Sequence, residues 1–105
     1  MKFENLMTWK LEGAEGVEVV MSRVTVPAGT KLPKHWHPGE EFAYVLDGKF
    51  VYCPEGEEEV TIGAGEIGAV PFKKVHTIRT EDEEASMIVF RVHEEGQPER
   101  VLVEE

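Results

Sequence analysis

Turn signals recur every few residues along this chain, and only short runs lie between them. Val17–Val26 is an apolar-rich stretch stopped by Pro27-Ala28-Gly29. Glu41–Leu46 is closed by Asp47-Gly48 and followed by Lys49–Cys53. Asp-Gly suits a tight reversal because both residues tolerate positive φ, so these two runs are expected to form a hairpin. Further strands are expected at 59–62 and 66–70, separated by Gly63-Ala64-Gly65, and then at 75–79, 85–92 and 100–103. No segment sustains a helical period. Roughly eight to ten strands at this spacing predict an all-β sandwich or barrel with no substantial helix.

A chain of 105 residues builds one core, so residues 1–105 are expected to form a single domain. The formal net charge is -10, which repels phosphate backbones and argues against nucleic acid or an anionic membrane as partner. Cys53 is the single cysteine, so no intrachain disulfide forms. The residues Met1-Lys2-Phe3-Glu4-Asn5 lack the apolar core of a signal peptide, and no run approaches the length of a membrane span. A cytoplasmic location is therefore expected. Along Glu41–Leu46, alternate residues face opposite ways, and both faces are apolar apart from Glu41. A small barrel offers cover to only one face, which leads us to expect a homodimer.

The chemistry concentrates in residues 29–41. His35 and His37, two apart on an extended segment, point the same way and can share one ion. Glu41 follows the Pro38-Gly39 turn, which can return its carboxylate beside the two rings. His76, from a distant strand, would supply a third imidazole. Mixed nitrogen and oxygen donors suit Zn, Mn, Fe, Ni, Co or Cu and do not suit Ca.

The pattern Gly29-x5-His35-x-His37-x3-Glu41-x6-Gly48 resembles the first motif of the cupin superfamily at every fixed position. Gly65-x5-Pro71 followed by His76 resembles the second, with the two motifs spanning 29–48 and 65–80. The short spacer between them is similar to that of small single-domain bacterial cupins. The resemblance implies a jelly-roll-like β-barrel of two antiparallel sheets holding one divalent transition metal on His35, His37, Glu41 and His76. It also implies a metal-dependent enzyme acting on a small organic molecule, with dioxygenase-like chemistry first and isomerase or lyase chemistry beside it. Glu41 could then double as ligand and base. The alternative is a non-catalytic ligand-binding or sensor cupin with a structural metal. Two positions depart from the family pattern. Lys73 stands where glycine is usual, which puts the local turn in doubt because a side chain resists positive φ. Thr80 stands where asparagine is usual.

The remaining polar residues have simpler expectations. His93, beside Glu94-Glu95, reads as a surface histidine, and Cys53 as an ordinary thiol. Trp36 and Tyr44 are expected to face away from the metal ligands. Arg23 and Arg91 interrupt apolar strands. The favoured reading places them at strand edges beside surface glutamates; the other lets one enter the barrel and pair with a substrate carboxylate. Lys73-Lys74 reads as a solvated turn, with steering of an anionic substrate as the second reading.

Overall fold

The computed structural model describes residues 1–104. The chain forms ten strands: β1 (Lys2–Lys10), β2 (Val17–Val26), β3 (His35–Trp36), β4 (Gly39–Asp47), β5 (Lys49–Pro54), β6 (Val60–Gly63), β7 (Ile67–Val70), β8 (His76–Arg79), β9 (Ala85–Glu94) and β10 (Val101–Leu102). No helix occurs among the described residues. The strands build two five-stranded sheets, ordered β1-β2-β9-β4-β7 and β10-β3-β8-β5-β6. Every ladder in them is antiparallel. The ladders do not run on from one sheet into the other, so this jelly-roll-like barrel is a two-sheet sandwich rather than a closed cylinder.

Two sequence-based expectations change. β1 was not expected: its residues show no strict alternation, and it forms an exposed edge strand with an irregularity between Asn5 and Met7. The reversal at Asp47-Gly48 does not make a hairpin. β4 pairs with β9 and β7, whereas β5 pairs with β8 and β6, so this turn carries the chain from one sheet to the other. Gly48 has φ 70°, and a Cβ there would lie 2.5 Å from the Glu84 carbonyl oxygen. Only glycine fits a corner this tight.

The interior runs between the sheets and changes character along its length. At one end Val24, Val26, Val45, Phe50, Ala85, Met87 and Val89 form the apolar core, with Ile62 and Ile78 packed against it. The ladder between β4 and β9 aligns Val45 with Met87, Ala43 with Val89 and Glu41 with Arg91. These three pairs share the inward face, so the same two strands that build the core deliver a carboxylate and a guanidinium at its other end.

Candidate metal centre

His35 and His76 lie directly opposite each other in the β3–β8 ladder. His37 follows β3 by one residue and brings a third ring into the same space. The ring centroids are 4.4 Å (His35–His76), 4.9 Å (His35–His37) and 5.1 Å (His37–His76) apart. One donor atom from each ring lies within 4.8 Å of the others. All three histidines are buried, each at most 4% exposed.

Their tautomers are set by backbone carbonyls. His35 Nδ1 lies 2.6 Å from the Pro33 carbonyl oxygen, His37 Nδ1 2.7 Å from that of Glu99, and His76 Nδ1 2.8 Å from that of Lys74. A carbonyl can only accept, so each Nδ1 carries the proton and donates it. Each Nε2 is then a lone-pair donor, as in histidines that ligate a metal. Burial lowers the His35 pKa to about 4, against an opposing contribution from the hydrogen bond to Pro33. Burial likewise lowers His76. Neutral imidazole is the form a metal requires.

Glu41 sits beside this cluster. Its Oε2 is 2.6 Å from His37 Nε2, yet His37 Nε2 has no aligned hydrogen bond among the described residues. Two electron-rich atoms brought this close without a shared proton make a position suited to a cation. Arg91 Nε donates to the same Oε2 at 3.1 Å. Burial pushes the Glu41 carboxyl up, but its contact with His37 and the charge of the Arg91 guanidinium outweigh it and hold it at about 2. Glu41 is thus ionised while 8% exposed.

The turns that depart from the cupin pattern support the site. Lys73 adopts φ 60°, the conformation its side chain disfavours. Its backbone N–H donates to the His37 carbonyl at 3.2 Å, while the Lys74 carbonyl accepts from His76. Lys74 Nζ also pairs with Glu57. Thr80 is buried and donates to the Pro27 carbonyl at 2.5 Å while accepting from Thr30 N–H at 3.1 Å, tying the 27–30 loop to β8. Gly39 lets β4 approach β9, since a Cβ there would lie 2.1 Å from the Val92 carbonyl oxygen.

Other expectations need correction. Arg91 is no edge residue: it is 5% exposed and points inward, because register with Glu41 sets its face; Arg23, by contrast, is exposed. His93 is not on the surface. β9 continues to Glu94, between β2 and β4, which leaves His93 5% exposed with Nε2 3.1 Å from Glu18. Cys53 behaves as expected: burial and the Glu59 carboxylate raise its pKa, which suppresses the thiolate. Tyr44 lies on the outer face, 48% exposed.

A cavity of about 340 Å³ adjoins the cluster, lined by Glu41 and His76 and by apolar groups including Val45, Ile62, Ile78 and Met87. Tyr52 also lines it, with its ring centroid 5.5 Å from that of His76. Burial, aided by the charges of Glu57 and Glu41, raises the Tyr52 pKa, so its hydroxyl stays protonated. Nothing in the sequence singles out Tyr52 beyond its place on an expected strand.

Among solved structures, the DMSP lyase DddQ of Ruegeria pomeroyi is similar at 28% identity and TM-score 0.73, over 81% of this chain and 43% of that one. An oxalate oxidase in complex with the substrate analogue glycolate is similar at 26% identity and TM-score 0.69, over 81% of this chain and 46% of that one. This chain thus spans less than half the length of either protein. A cupin-like protein of Thermotoga maritima shares the fold at 20% identity and TM-score 0.75, over 96% of this chain and 74% of that one. No curated protein sequence matches significantly. The family model described as a cupin domain matches residues 22–93, which contain the histidine cluster, Glu41 and Arg91, and the chain belongs to the cupin family.

Proposed function

We propose that the protein binds one divalent transition-metal ion through His35, His37, Glu41 and His76, and acts as a metal-dependent enzyme on a small organic molecule held in the 340 Å³ cavity. The observation that carries this reading is the fixed tautomer of all three histidines, each with Nδ1 held by a backbone carbonyl. Three nitrogens and one carboxylate suit Zn, Mn, Fe, Ni, Co or Cu. Bound there, such an ion would supply a Lewis-acidic centre for substrate oxygen atoms.

The chain's own residues supply the rest. Arg91 fixes the Glu41 carboxylate through its Nε. The cavity wall is largely apolar, and the Tyr52 ring lies beside His76. The finer reading is dioxygenase-like chemistry, with lyase chemistry as its rival. The similarity to a DMSP lyase and an oxalate oxidase supports action on small organic molecules.

Metal content decides the reading. Wild type purified without a histidine tag should hold about one equivalent of transition metal, as expected for a single site, and His37→Ala should lose it. Oxygen consumption by the loaded protein separates the dioxygenase from the lyase. Metal bound with no turnover of either kind would favour the sensor. No metal in wild type after reloading would refute the four-ligand site.

We further read the chain as a homodimer acting in the cytoplasm. Phe42, Tyr44, Ile67, Ile88 and Phe90 line a shallow depression on the outer face of the β1-β2-β9-β4-β7 sheet. Among the described residues, no charged side chain lines it. In a chain of net charge -10, a second copy meets least repulsion at such a patch.

A further inference from the structure

We infer that Arg91 and Arg100 form an anion-binding subsite beside the histidine cluster, and that it takes the carboxylate of a small organic acid. This goes beyond the metal-dependent reading and does not rest on it, because the acid is held by side chains that ligate no metal.

Two guanidinium groups, that of the buried Arg91 and that of the half-buried Arg100, each carry one buried nitrogen without an acceptor among the described residues. Arg91 is 5% exposed and uses Nε on Glu41, but its Nη1 is buried with no hydrogen-bond partner among the described residues. Arg100, just before β10, also has a buried Nη1 without a partner among them. A guanidinium cannot shed its proton, so a buried one that lacks acceptors is costly until an acceptor arrives.

Both arginines line the same spaces. They share a gap of about 20 Å³ with His35, His37, Glu41 and His76. They also line an adjoining cavity of about 160 Å³, whose other walls are Phe3 from β1 and Glu99. At roughly 30 Å³ per water, the larger space holds a ligand of only a few heavy atoms. A planar two-oxygen group matches the guanidinium fork, which favours carboxylate. The 340 Å³ cavity, by contrast, has no lysine or arginine among its described lining residues, so an acid finds its cationic partner only beside Arg91 and Arg100.

The test is titration of malonate and its uncharged diamide into chelator-treated, metal-free protein, read by calorimetry and by amide NMR shifts. Wild type should bind malonate saturably and ignore the diamide. Arg100→Gln should weaken malonate about tenfold or more, the loss expected for a charge-assisted bidentate contact. Arg91→Lys keeps the charge facing Glu41 but lacks the fork, and should weaken malonate while the urea midpoint confirms folding. Equal malonate affinity in wild type and Arg100→Gln would overturn the subsite, as would no binding by folded wild type. Inorganic phosphate binding as tightly as malonate would overturn the carboxylate preference. Metal content measured in parallel keeps the two readings apart: malonate binding in a protein that takes up no metal sinks the metal centre and leaves the subsite standing.

Discussion

The two ends of the interior are equally buried and differently held. At the apolar end Val24 and Val89 are 0% exposed and Val45 2%; at the polar end His76 is 2% exposed, His37 3% and Arg91 5%. The apolar end is held by burial, which is non-directional and tolerates small adjustments of packing. The polar end is held by directed bonds: three carbonyls on three imidazoles, and one guanidinium on one carboxylate. The chemical groups are thus oriented by backbone that the core already fixes. β4 and β9 serve both ends at once, which couples the position of Glu41 and Arg91 to the packing of Val45 and Met87.

The sharpest way to break this comparison is Arg91→Met. It leaves the Glu41 carboxylate buried without its guanidinium and should cost about 3–5 kcal/mol in urea unfolding of metal-free protein. Combining it with Glu41→Gln should recover most of that loss, since the buried charge is then gone. A cost below about 1 kcal/mol for the single variant would mean that the polar end is more hydrated than its burial implies. Val89→Ala probes the other end. It should cost about 2–3 kcal/mol by opening a cavity, yet leave metal content unchanged. Metal loss in that variant would show that the two ends are not separable.

Smaller effects sharpen the picture. Lys73→Gly relieves a side chain from positive φ and should raise stability by up to about 1 kcal/mol, measured by the urea midpoint. No gain there would mean that contacts of the Lys73 side chain offset the backbone cost. Tyr44→Glu, on the outer face, should change stability of the isolated subunit by about 0.5 kcal/mol or less. It should also halve the mass seen by sedimentation. A mass unaltered by the substitution would remove that face as the dimer contact.

Much of the site was legible because its signals are local. His35 and His37 are placed by strand alternation, and Glu41 by a four-residue step across a short turn. His76 became a candidate through its resemblance to the second cupin motif, and its pairing with His35 in the β3–β8 ladder gives that expectation a geometric basis. Arg91 was misjudged because a lone arginine in an apolar strand reads the same on either face until the partner strand is known. His93 was misjudged because Glu94-Glu95 next to it resemble a surface, whereas β2 and β4 flank it on either side. Arg100, Glu99 and Phe3 carried no signal at all, since nothing near them in sequence belongs to the site.

By itself the sequence determined the strand content, most strand positions, the reversals and the identity of the candidate ligands. These depend on side-chain alternation and on backbone preferences within a few residues. Only the tertiary structure decided that Asp47-Gly48 is a crossing between sheets rather than a hairpin, that the sheets stay open, and that Glu41 faces Arg91. Turn chemistry fixes that a chain reverses, but not which strand it then pairs with. Pairing is settled by burial summed over the whole domain, and register then assigns each side chain its face.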